Sequence, residues 1–372
     1  MHGLQGGADC GLLTTMNRHI QSRVDDFCQR FGLSLPILLA PMAGACPPGL
    51  SIAVANAGGL GACGALLLQP QAMQAWAHEV RSQSNGAFQM NLWVPDPAPL
   101  RDPVAEAEMA AFLGQWGPSV APGAGDAPLV DFAAQCEALL AAAPPIVSSV
   151  MGLYPPAFVA RLKAAGIAWW ANISTLAEAR AAEEAGADAV VAQGMEAGGH
   201  RGCFVAGEAE TAMVGGISLI PAVADALAIP VIATGGIADG RGVAAALMLG
   251  ASAVQIGTGF LRSPEARLAP AWAAALAVTP PEGTAVTRAF SGRAGRGIAT
   301  AYIRAASAAD APRLAPYPVQ RGLTQAMREA AVKAGDVSAM QAWAGQSAML
   351  ARPEPAGDLV ARLWRDAQDL LN

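Results

Sequence analysis

The sequence predicts an α/β chain folded as a closed (β/α)8 barrel with a smaller helical lid. Eight apolar runs of strand length fall between Pro36 and Gly257. Ala-rich helical segments separate them, several ending on a glycine. The glycine fingerprint that an open doubly wound sheet carries after its first strand is missing: the chain reads Ala40-Pro41-Met42-Ala43-Gly44 there. Eight strands, each followed by a helix, call for a sheet closed on itself.

In chain order, residues 1–33 read as a lead-in, 34–262 as the barrel, 263–346 as a helical lid, and 347–372 as a C-terminal helix packing back on the barrel. Strands are expected at Pro36–Met42, Gly59–Cys63, Phe88–Trp93, Pro145–Met151, Ala168–Ile173, Ala189–Gln193, Pro230–Ala233 and Ala253–Gly257. Several are continuous Val, Ile and Leu runs, as in parallel strands buried on both faces. Helices are expected at Gln71–Arg81, Pro156–Ala165, Leu176–Ala185, Ile217–Leu227 and Gly240–Leu249. Gly166, Gly186 and Gly250 stand where C-caps belong. Pro95 to Gly125 reads as an excursion after strand three, and prolines from Pro280 to Pro318 break up the lid. Asp358 to Leu370 is amphipathic.

Composition narrows the function. The chain of 372 residues is 53% hydrophobic and 14% charged, rich in core formers and unlike a disordered chain. No apolar run reaches the length of a membrane span, and the first residues lack a signal-peptide pattern. A net charge of −6 argues against a nucleic-acid partner. The six cysteines show no C-x-x-C and no ligand spacing with His, so no metal site is expected and a cytoplasmic protein with reduced thiols is. A homodimer is the assembly to look for.

Barrels commonly bind phosphate at the loops after strands seven and eight, where backbone N–H groups and a helix N-terminus converge. Strand seven runs into Thr234-Gly235-Gly236 and strand eight into Gln255-Ile256-Gly257-Thr258. Gly235, Gly236 and Gly257 let backbone approach a phosphate, and Thr258 offers a hydroxyl. Gly215 and Gly216, ahead of the Ile217 helix, would supply further N–H groups. His200 follows strand six in Glu196-Ala197-Gly198-Gly199-His200, at the strand end where barrel enzymes keep their chemistry. Gly198 and Gly199 would let a flat ligand pack on backbone. A neutral imidazole titrating near neutral pH can take a proton from a weak carbon acid. Asn91, Asn172 and Gln193 place three amides at strand ends, where each needs a ligand or a neighbouring backbone as partner. Glu196 reads as an outward, solvated carboxylate.

Four stretches resemble the nitronate monooxygenase family: Leu39 to Gly44 with Ala55 to Gly61, Gln89 to Leu92, Gln193 to Gly202, and Pro230 to Leu261. Thr287 to Arg293 also looks like a lid segment of that family. The resemblance implies an FMN-binding barrel acting on a nitronate or nitroalkane with O2. It would place Ala40, Pro41 and Met42 along the isoalloxazine. Asn91, Asn172 and Gln193 would touch the ring or ribityl chain, Gly216, Gly236, Gly257 and Thr258 would hold the phosphate, and His200 would be the base. Gln255 joins the cofactor residues on the same strand end. Ala45-Cys46-Pro47-Pro48 and the strand-three Gln-Met-Asn depart from the family's usual pattern, and only Tyr154, Tyr302 and Tyr317 are available for a polar pocket. Two alternatives share the Gly-Gly-His loop or the glycine site: an FMN-dependent nicotinamide:quinone or enoyl-thioester reductase, and a flavin-binding subunit without turnover. An IMP-dehydrogenase-like barrel is disfavoured, because Cys203 follows His200 too closely for a catalytic cysteine loop.

Overall fold

A computed structural model describes residues 10–126 and 128–372, with side chains described from residue 18 onward. The expected loose start, Met1 to Asp9, lies outside the described residues. The strands are β1 (Ile37–Leu39), β2 (Gly61–Gly64), β3 (Phe88–Trp93), β4 (Ile146–Val150), β5 (Ala168–Ile173), β6 (Ala189–Gln193), β7 (Gly199–His200), β8 (Val231–Thr234), β9 (Ala253–Ile256), β10 (Thr284–Thr287) and β11 (Gly295–Ile298). Eight of them form one parallel sheet in the order β1-β9-β8-β6-β5-β4-β3-β2. A parallel bridge between Leu38 and Leu60 brings the far edge back to β1 and closes the ring.

The barrel strands are apolar because both faces are covered. Every residue of β1, β6, β8 and β9 is buried. The helices between them start on side-chain caps where the sequence provides one: Thr175 accepts from Glu178 N and Asp239 from Gly242 N. Gly166, Gly186 and Gly250 end three helices with φ of +69°, +89° and +109°, conformations a Cβ disfavours.

The 1–33 stretch is more structured than a lead-in from residue 10 onward. Helix Cys10–Phe31 buries Ile20, Val24, Phe27 and Cys28, an apolar stripe at helical spacing. Phe27 and Phe31 pack on Trp170, and the Arg23 guanidinium donates to the carbonyls of Ala251 and Leu247. Ala251 lies two residues before β9, and Asp188, which Arg30 reaches, immediately precedes β6. This helix therefore covers the amino ends of the strands and leaves their carboxyl ends for chemistry. Helix Ala356–Leu371 buries Leu359, Val360, Leu363 and Ala367, and Gly240 of the helix Gly240–Met248 lies so close that a Cβ there would meet Asp366 Cβ at 2.5 Å.

The segment after the barrel contributes helices Pro270–Val278, Ala301–Ala306, Val319–Leu323 and Gln325–Ala334, and also a hairpin that helical periodicity does not reveal. β10 and β11 pair antiparallel, and β11 pairs in turn with β7, placing Gly295 opposite His200. The excursion after β3 joins the same layer: Met109 and Leu113 of helix Pro103–Leu113 share a core with Phe290, Tyr302 and Met327.

Candidate active site

The carboxyl ends of the barrel strands open into a cavity of about 360 Å³. It gathers Ala40, Pro41, Met42, Asn91, Asn172, Gln193, Gly198, Gly199, His200, Gly235, Gly236, Gln255, Gly257 and Thr258, all expected from the sequence. Gly215 and Gly216 do not line it. Glu196 takes the helix N-terminus they were expected to offer: Gly216 N donates to Glu196 Oε1 and Oε2 at 3.0 and 3.1 Å. The carboxylate satisfies an orphan N–H and suits the positive end of the helix dipole, so Glu196 is a cap and not an outward charge. The glycine loops that do face the cavity are those after β8 and β9. Gly235 and Gly236 have φ of +103° and +72°. A Cβ on Gly235 would meet Ala197 N at 3.0 Å, and one on Gly236 would meet Glu196 Cβ at 3.2 Å. The side lacking a Cβ is packed against the His200 loop, so bare backbone is left toward the cavity.

A polar chain crosses the barrel interior at the floor of this cavity, where Asn91, Ser148 and Gln255 line it. Gln89 Nε2 donates to Gln255 Oε1 at 2.8 Å, Ser148 Oγ donates to Gln89 Oε1 at 2.8 Å, and Asn91 Nδ2 donates to Ser148 Oγ at 3.0 Å. Asn91 Nδ2 is thus held by β4, while the residue itself lines the cavity. Gln193 bonds to the loop that follows its own strand: its Nε2 donates to His200 O, and its Oε1 accepts from Gly202 N. One amide ties both ends of the His200 turn to β6. The loop after β1 is set by Cys46, whose Sγ accepts from Met42 N at 3.1 Å and donates to Ala40 O at 3.2 Å. Burial pushes this thiol up to about 12, so it stays a protonated hydrogen-bonding group.

His200 stands between two indoles, with centroids 4.8 Å from Trp93 and 5.1 Å from Trp343. Its Nε2 lies 2.8 Å from Ser291 Oγ. The Ser291 hydroxyl has one proton to give, and at 3.0 Å it donates to Arg293 O. In that arrangement His200 carries its proton on Nε2 and its lone pair on Nδ1. Burial, and then the Arg293 and Arg321 guanidiniums, hold the imidazole down to about 3. The expectation of titration near neutral pH is corrected accordingly, because a dry and cationic neighbourhood disfavours the imidazolium. Arg293, 1% exposed, is paired with Asp96 and donates to Cys203 O. Its guanidinium also lies 5.7 Å from the Trp93 ring centre.

Of the side facing the lid, the sequence reading offered Tyr317 for a polar pocket and the Thr287 to Arg293 segment that holds Ser291, and it missed Trp93 of β3 together with Arg321, Arg328, Trp343 and Ser347. Trp93 was within reach, since it follows Gln89 and Asn91 at the two-residue period of one strand face. The rest come from segments whose approach to the barrel no local pattern encodes. Residues 344–347 cross the strand-end loops: Gly345 N donates to Thr258 Oγ1, Gln346 N to Glu196 O, and Ser347 Oγ to Gly236 O. Gly198 accommodates this crossing, because a Cβ there would lie 2.5 Å from Gly345 N.

A closed β/α barrel with an imidazole and bare glycine loops gathered in one cavity at its strand ends has the layout of a barrel enzyme's active site. The chain belongs to the nitronate monooxygenase family, whose model matches residues 27–366. It is similar to a probable nitronate monooxygenase of Staphylococcus aureus strain Newman, 35% identical over 349 residues, covering 92% of this chain and 97% of that protein. Among solved structures it resembles a nitroalkane oxidase from Streptomyces ansochromogenes, with TM-score 0.81, 37% identity and coverage of 91% and 96% of the two chains. It also resembles FabK from Thermotoga maritima, with TM-score 0.71, 28% identity and coverage of 92% and 96%. Among the described residues no helix is long and apolar enough to cross a membrane.

Proposed function

We propose that the chain binds FMN and oxidises alkyl nitronates with O2 to a carbonyl compound and nitrite. One observation carries this reading: a single cavity joins backbone-only loops suited to a phosphate with an imidazole that is the one neutral, unprotonated base on its wall. The other titratable groups on its wall are Tyr317, Arg321 and Arg328, and burial pushes the Tyr317 hydroxyl up to about 12.

The residues fit the cofactor. Gly235, Gly236, Gly257 and Thr258 would hold the phosphate. Ala40, Pro41 and Met42 would lie along the ring system. Asn172 Nδ2, buried and without a hydrogen-bond partner among the described residues, would meet a ring or ribityl oxygen. When bound, the flavin supplies the electron acceptor and the site of reaction with oxygen.

The chain's own residues orient the substrate and exclude water. Trp93 and Trp343 wall the reacting carbon from solvent, and Gln193 and Ser291 fix the imidazole between them. His200 accepts the α-proton when the substrate arrives as a neutral nitroalkane. An imidazole held near 3 is a weak base for that step, because proton transfer is most effective when the base titrates near the working pH. A preformed nitronate needs no such transfer and is the better substrate.

His200→Asn tests the assignment. FMN should stay bound, and activity on neutral nitroethane should fall about 10²–10⁴-fold. Oxidation of ethylnitronate should fall much less. Equal losses on both substrates would remove His200 as proton acceptor. Anaerobic mixing tests the reaction class: nitronate should bleach the flavin and a nicotinamide should not.

A further inference from the structure

Two guanidiniums on the lid wall have no ion-pair partner among the described residues, Glu329 being the one carboxylate that acts on Arg328 through space. Arg321 and Arg328 both line the cavity, and no Asp or Glu does. Arg328 is anchored by neutral groups: Nε donates to Thr324 Oγ1, Nη1 to Gln341 Oε1 and Nη2 to Arg321 O. Among the described residues the Arg321 guanidinium makes no hydrogen bond or ion pair, its carbonyl alone being engaged. The carboxylate at the end of β3, Asp96, is already spent on Arg293. Burial and then the neighbouring Arg321 charge bring Arg328 down to about 10. Two guanidiniums left together in a partly dry cavity are unfavourable unless an anion joins them. Four residues before Arg321, the Tyr317 hydroxyl is buried, protonated and without a partner among the described residues.

We propose that Arg321, assisted by the Tyr317 hydroxyl and backed by Arg328, is an anion-recognising, specificity-determining residue that selects the ionised nitronate over the neutral nitroalkane. The inference rests on the reading of the chain as a nitronate-oxidising enzyme. A nitronate spreads one negative charge over two oxygens in a plane, which the planar fork of a guanidinium meets with two parallel N–H donors. A neutral nitroalkane offers no net charge and gains little from the fork. The same anion would offset the positive field that disfavours protonation of His200. Arg321 thereby assigns recognition to the lid and leaves proton transfer to the barrel.

The test compares the parent holoenzyme with Arg321→Met and Arg321→Lys. The first readout is calorimetric titration with sodium nitrate, a planar oxyanion that cannot be oxidised. The parent should bind nitrate, Arg321→Met should bind it about 10- to 100-fold more weakly, and Arg321→Lys should fall between. The second readout is the ratio of kcat/KM for ethylnitronate to that for neutral nitroethane, which should drop at least about tenfold in Arg321→Met. Thermal melting identifies a misfolded variant, and Arg321→Lys then carries the comparison. A parent that ignores nitrate, or an Arg321→Met variant with unchanged nitrate affinity and substrate ratio, would overturn the proposal. Loss of nitrate binding in a chain that oxidises neither substrate would uphold the anion site while removing the nitronate reading.

Discussion

The two ends of the cavity are built in opposite ways. The end at β8 and β9 is backbone: Gly235, Gly236 and Gly257 offer peptide N–H groups, and their contribution depends on the absence of side chains. The opposite end is side chain: Trp93 of β3, with Tyr317, Arg321 and Trp343 from the segment after the barrel, offers rings, a hydroxyl and charge. A backbone site suits a ligand group common to many enzymes, because any sequence with the right glycines can form it. A side-chain site suits the group that differs from one enzyme to the next. On the proposed reading, cofactor and substrate would be recognised by different parts of the polypeptide, which separate mutations can address.

The largest effect should come from adding a side chain at the backbone end. Gly235→Val forces a branched residue into φ of +103° and against Ala197 N at 3.0 Å. FMN affinity should drop by about two orders of magnitude or more, since a few kcal/mol of strain converts to that factor. Flavin fluorescence after gel filtration checks it; a variant that stays yellow and fully loaded would mean that the β8 loop tolerates a Cβ. At the lid end, Asp96→Ala strands the buried Arg293 charge and should destabilise the fold by about 3–5 kcal/mol. Urea unfolding reads this directly, and an unchanged midpoint would mean that Arg293 finds another partner.

The smallest effect concerns pH. His200 is held near 3 in the folded chain, below the ordinary value of about 6.5. As pH falls below 6.5 the unfolded chain takes up a proton there and the folded chain does not. Stability from this group is therefore complete above 6.5 and is lost between 6.5 and 3. In the range where the protein stays folded, kcat/KM for ethylnitronate should show no histidine inflection near 6.5. A clear acid limb at that pH would mean that the imidazole is wetter, or less crowded by cations, than its position between two tryptophans implies.

The same contrast governs what could be read from sequence. The barrel was legible because each strand is a short apolar run closed by its own turn. β3, β5 and β6 fall on the expected residues, and the glycines that end helices carry their own signature. The His200 turn and the β8 and β9 loops were legible for the same local reason. Gly215 and Gly216 misled because a helix N-terminus looks alike whether it meets a phosphate or the carboxylate of Glu196, which lies 20 residues earlier. The lid resisted reading because its pairings are long-range: β7 is two residues long and gains its partner, β11, only from the next layer. Ser291 reaches His200 across 91 residues of chain, and neither segment announces the other.

The crossing of residues 344–347 over the strand ends has a consequence for biosynthesis. Ser347, which donates to Gly236, follows it by 111 residues. At a translation rate of about 5–20 residues per second, the ribosome delivers this last wall on the order of ten seconds after the β8 glycines. During that interval a nascent barrel can exist with every strand in place and its cofactor end still roofless. A ribosome stalled before residue 344 would therefore display the barrel strands without the wall that Ser347 adds beside Gly236.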